Sequence, residues 1–85
     1  GVTNNENEEV HKIKIQLSEN IIPYIASKPL HGSQKILGNI LTLELQLNYE
    51  LESLILSYGE KFKVLEPQDL VRKIKKRVIQ LTNFY

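Results

Sequence analysis

The order of apolar patterns in this chain predicts an α+β domain: one four-stranded antiparallel sheet, two helices on one of its faces, and an additional C-terminal helix. Three observations predict it. Three stretches alternate apolar and polar residues with period two, the signature of strands that bury one side, and a fourth short stretch precedes a Gly-Asn hairpin turn. Helical segments separate these stretches in the order strand, helix, strand, strand, helix, strand, helix. That order contains two strand–helix–strand units joined by a hairpin, which is the split βαβ or ferredoxin-like βαββαβ plan.

The first strand is VHKIKIQL, residues 10–17, where Ile13, Ile15 and Leu17 alternate with Lys12, Lys14 and Gln16. SENIIPYIASK follows as a helix with Ser18 or Asn20 as its N-cap. Pro23 favours the later start, which places it in the tolerant first turn, and Pro29 ends the segment. A turn through PLHGSQKILG leads to a short strand over residues 33–37. Gly38-Asn39 then supplies the positive φ angles of a two-residue hairpin. In the return strand ILTLELQLN, Leu41, Leu43, Leu45 and Leu47 face one way, and Thr42, Glu44 and Gln46 the other.

Asn48 caps the helix YELESLILSYG, whose Leu51, Leu54, Ile55 and Tyr58 share a face, and Gly59 closes it in a left-handed conformation. KFKVLE is the fourth strand, with Phe62 and Val64 set against Lys61 and Lys63. Pro67 fits a first helical position and Asp69 the favourable first turn. The last helix carries Leu70, Ile74, Val78, Leu81 and Tyr85 at three- and four-residue steps. Right-handed crossovers place the first two helices on the same side of the sheet. The open face then shows Lys12, Lys14, Thr42, Glu44, Gln46, Lys61 and Lys63. The third helix is left over. Its stripe needs a sheet edge, a neighbouring domain or a second copy of the chain.

Eighty-five residues make one small domain, and 41% hydrophobic with 25% charged residues is ordinary for a soluble globular protein. The absence of cysteine removes disulfides, thiolate metal sites and a cysteine nucleophile, and it is compatible with the cytoplasm. No apolar run approaches the roughly 18 residues of a membrane helix. The chain contains no Met and opens on Gly1, which reads as a proteolytic scar and predicts a piece of a longer parent. The net charge of +1 is uneven. Residues 1–9 are acidic and Asn-rich, a disordered leader or linker. Residues 10–67 are balanced, and residues 68–85 are basic.

Two groups of residues carry candidate chemistry. Arg72, Lys73, Lys75, Lys76 and Arg77 form a basic run that suits phosphate contacts by charge-assisted bonding and counterion release. Equally, such a run is the solvated side of an amphipathic helix. His31, Ser33 and Gln34, around Gly32, suit a ligand- or interface-contacting loop, or a turn whose polar side chains satisfy its own backbone. No catalytic residue emerges. His11 and His31 are the only histidines, with no nucleophile or metal partner in sequence. P-loop, GxGxxG and HExxH motifs are absent, so neither an enzyme nor a cofactor is expected.

PLHGSQKI at residues 29–36, YELESLILSYGEKFKVLEPQDL at residues 49–70 and the basic closing helix together resemble the WCX domain. That domain is the C-terminal extension of bacterial WYL-type transcription regulators. The resemblance covers nearly all of residues 10–85. It implies a parent with a winged-helix domain that alone touches DNA, a ligand-sensing WYL domain, and this segment at the end. It also implies dimer contacts and a share in sensing a nucleotide or nucleic-acid effector.

The alternative is a stand-alone ferredoxin-like module of the ACT type that binds small molecules, although nothing marks a ligand's amine or carboxylate. RNA recognition in the manner of RRM domains needs aromatics on the central strands. Thr42, Glu44 and Gln46 offer none.

Overall fold

The computed structural model of the chain describes residues 9–85. The disordered leader expected over residues 1–9 lies outside these residues, apart from an exposed Glu9. Alternation decides β1 (His11–Leu17): Ile13, Ile15 and Leu17 are buried, whereas Lys12 and Gln16 are exposed. The same period in β3 (Ile40–Leu45) buries Leu41, Leu43 and Leu45. The antiparallel register sets Ile13 opposite Leu43 and Ile15 opposite Leu41, so both strands present their apolar side to the same layer. β2 (Lys35–Leu37) and β4 (Phe62–Glu66) complete the sheet at its two edges, in the order β2-β3-β1-β4. All neighbours are antiparallel. This is the ferredoxin-like order.

A helical layer covers the apolar side. A 3-10 turn (Glu19–Ile21) precedes α1 (Ile22–Ser27), and α2 is Tyr49–Ser57. Ile21 and Ile25 from the first unit, and Leu51 and Ile55 from the second, join the strand residues in a single core. Asn48 caps α2 as its sequence position predicts: its Oδ1 accepts the Leu51 N–H at 2.8 Å. Gly59 closes the same helix with φ +58°. The molecule measures 36 × 35 × 20 Å, as a two-layer domain should.

Local chemistry moves several boundaries. Ser18 holds the N-cap position of the 3-10 turn that runs into α1, but its hydroxyl donates to Asn20 Oδ1 at 2.6 Å rather than capping a backbone N–H, and Ile21 is the N-cap of α1 itself. Pro23 does fall in the first turn, where its missing N–H is no loss. The second strand begins at Lys35 rather than residue 33 because the Ser33 hydroxyl, not its backbone, takes the Glu44 N–H at 2.9 Å.

At the hairpin only Gly38 has positive φ, +63°, and Asn39 does not. Leu37 pairs with Ile40 across it, the pattern of a II′ turn in which only the first central residue needs the left-handed region. β3 stops at Leu45, so alternation stops with it. Gln46, expected on the open face, is therefore buried at 1% exposure. Pro67 is the N-cap of α3 (Gln68–Phe84), not its first helical residue.

α3 packs against β4 and α2. Register slips by one residue between β1 and β4 near Lys14 and Ile15, leaving Leu65 as an extra residue on β4. The anchorage of α3 weakens along its length. Leu70 is fully buried, Ile74 packs on the core's margin, Val78 is 44% exposed and Tyr85 is 96% exposed.

Candidate functional site

The loop before β2 is built from its own polar side chains. The Gln34 Oε1 accepts the Leu30 N–H at 2.9 Å, while its Nε2 donates to the Ile25 carbonyl at 3.0 Å. One side chain thereby ties the body of α1 to the loop that follows it. Ser33 N–H donates to His31 Nδ1 at 3.1 Å, and the Ser33 hydroxyl lies 2.8 Å from the same nitrogen. An Nδ1 that accepts a backbone proton carries none itself, so the ring proton sits on Nε2. Ser33 and His31 are two residues apart, and among the described residues no carboxylate pairs with the ring; the pair stabilises the turn and prolongs the β2–β3 pairing through Glu44.

The basic residues of α3 divide. Arg77 is occupied: its Nη1 donates to Ser53 Oγ at 3.2 Å and lies 3.6 Å from Glu52 Oε1. Its guanidinium also sits over the Tyr49 ring, 4.2 Å from the centroid. These contacts fasten the middle of α3 to the first turn of α2. Arg72 pairs with Asp69 one turn earlier, in an exposed contact worth little. Lys73, Lys75 and Lys76 are exposed and make no ion pair among the described residues. At ~100° per residue, Arg72, Lys75 and Lys76 face away from the Leu70–Ile74 stripe and Lys73 lies on its flank.

Loop and helix are not brought together. His31, Ser33 and Gln34 sit at the β2 edge, whereas α3 lies by β4 at the other edge, three strand spacings or roughly 14 Å across. Within one copy they form two separate surfaces. A third surface was only half legible in the sequence. Ile74, Val78 and Leu81 of α3 face Ile55, Leu56 and Phe62 across an apolar groove of about 380 Å³. The stripe announced the α3 wall; the opposite wall needed the packing of α2 beside it. Beyond the groove, Ile79, Phe84 and Tyr85 are exposed.

The open face of the sheet carries no ring on its central strands: Lys12, Lys14 and Gln16 of β1 stand beside Ile40, Thr42 and Glu44 of β3. Cross-strand pairing of Lys14 with Glu66 at 3.8 Å offsets part of its charge. Among the described residues no group of three His, Cys, Asp or Glu could hold a metal ion, and no helix is long and apolar enough to cross a membrane.

Comparison with family models matches residues 9–81 of the 85 to the WCX domain. Neither the curated proteins nor the solved structures contain a match to the chain.

Proposed function

The chain belongs to the WCX domain family, and on that premise we propose that it is the C-terminal regulatory and dimerisation module of a WYL-type transcription regulator. It works in the cytoplasm behind an upstream WYL domain. It shares in sensing a nucleotide or nucleic-acid effector and leaves the DNA contacts to an N-terminal winged helix. It catalyses nothing and holds no cofactor.

One observation carries the pairing: the apolar groove between α2 and α3, with a helix whose last turns leave Val78, Ile79, Leu81, Phe84 and Tyr85 exposed. The same α3 stripe is both wall of the groove and exposed surface. Two copies related by a twofold axis would cover it with identical patches. Lys73, Lys75 and Lys76 support the effector reading, since they are the cations of α3 that no described acid neutralises.

Sedimentation velocity over a range of concentrations tests the pairing. A dimer is expected, reverting to monomer in the Val78→Glu/Leu81→Glu variant. A strict monomer at about 1 mM would remove dimerisation from this domain's role. For the effector, anisotropy of a labelled short single-stranded DNA is read against salt. Replacing Lys73, Lys75 and Lys76 by Ala lowers the salt slope by about 0.7 for each phosphate that no longer meets a cation. An unchanged slope would take α3 out of effector binding.

A further inference from the structure

Away from α3 and from the His31 loop, the helical layer holds a cleft of about 360 Å³ between the start of α1 and the end of α2. Asn20, Ile21, Tyr24, Ser57, Tyr58 and Lys61 line it. One lining ring, Tyr58, is held by stacking on Phe62 of the α2–α3 groove, with centroids 4.2 Å apart and planes 5° from parallel. Tyr24, half exposed, adds a second ring to the lining.

Donors dominate the rim. Lys61 makes no ion pair among the described residues. Asn20 spends its Oδ1 on the Ser18 hydroxyl, and its two amide hydrogens find no acceptor among the described residues. Burial, then the neighbouring Tyr24, raises the Tyr58 hydroxyl above its usual pKa of 10.0, so at neutral pH it keeps its proton. A second cation stands close, Lys28 Nζ lying 5.7 Å from the Tyr24 ring centroid. Among the described residues no carboxylate lines the cleft.

These features select a ligand class. Two rings in the lining favour a flat aromatic body, which stacks at offset or edge-on geometry. A rim of ammonium, amide and hydroxyl donors favours an oxyanion, held by charge-assisted bonds. A cationic ligand meets Lys61 and Lys28, and a peptide of several residues exceeds the space. The volume suits a small molecule.

We propose that this cleft binds a small planar-ring compound bearing one oxyanion group, its ring against Tyr24 and Tyr58 and its anion on Lys61 and Asn20. The site shares no lining residue with the α2–α3 groove or with the two candidate regions described above. It therefore stands independently of the pairing and effector reading.

The ¹⁵N-labelled 85-residue chain, titrated separately with phenyl phosphate, benzoate, inorganic phosphate and phenol, tests it. Phenyl phosphate or benzoate should give saturable shifts at the amides of Asn20, Tyr24, Tyr58 and Lys61, weakened about tenfold by Lys61→Ala. Tyr24→Ala weakens binding similarly, and Tyr24→Phe, which keeps the ring, retains most of it. The spectra themselves report whether each variant is folded. The proposal is overturned by an absence of saturable shifts up to about 10 mM. It is equally overturned if inorganic phosphate or phenol binds as tightly as the ring-bearing anions, or if a folded Lys61→Ala chain binds unchanged.

Discussion

Gln34 makes two hydrogen bonds from one side chain, to Leu30 N–H and to the Ile25 carbonyl. Truncation to Ala strands both partners in a half-buried place, so Gln34→Ala should cost about 1–3 kcal/mol. Urea denaturation checks this as a lower midpoint with an unchanged slope. Tyr58 gives a pH signature. Its folded pKa lies above the unfolded 10.0 because burial, and next Tyr24, disfavour the phenolate. Its contribution to stability is complete below the unfolded pKa and is lost as pH rises through the folded one. The midpoint should fall above about pH 10, and Tyr58→Phe should blunt that fall relative to the native chain. Gln34 was visible in the sequence only as a polar residue near a glycine, and its two partners lie four and nine residues away in an irregular loop. Gln46 misled for a related reason. Period two holds only while the strand does, and nothing in LQLN marks Leu45 as its last residue.

Among the elements, the clasp of α3 on α2 depends on Arg77, which spans Glu52, Ser53 and the Tyr49 ring. Glu52 is mostly covered, so Arg77→Ala leaves a poorly solvated carboxylate without its partner. A loss of about 1–2 kcal/mol is expected. Arg77→Lys should recover only part, since an ammonium keeps the charge but has neither the flat stack nor the reach to Ser53. Coupling between Arg77→Ala and Tyr49→Ala in a double-mutant cycle, read by urea denaturation, checks the ring's share; additivity would dissolve the clasp. The helices and strands themselves were legible, because Ile13/Ile15/Leu17, the Leu41–Leu45 alternation, Asn48 and Gly59 each follow from chain-local physics. Arg77 was legible as charge and not as a clasp. Twenty-four residues separate it from Ser53, and sequence spacing says nothing about neighbours at that range.

For the whole molecule, stability should fall off along α3 from its anchored to its unanchored end. In dilute solution the amides around Leu70 and Ile74 should exchange near the global unfolding rate, and those beyond Val78 far faster. Raising the protein concentration should slow exchange beyond Val78 if copies cover the groove, and uniform exchange at every concentration would contradict the pairing. The sequence carried the arrangement of the sheet and the homelessness of the last stripe. It did not carry the distance between His31 and Lys76, since edge-to-edge separation emerges only when strand order is known. The short β2 has one more implication. Three residues, roughly 10 Å of unpaired backbone starting at Lys35, give an incoming strand almost nothing to zip onto. Beside β4, the opposite border of the sheet, lies α3. At these two borders of the described sheet, stacking chain upon chain into a fibril finds little foothold, and the pairing proposed above would cover the apolar flank of α3 as well.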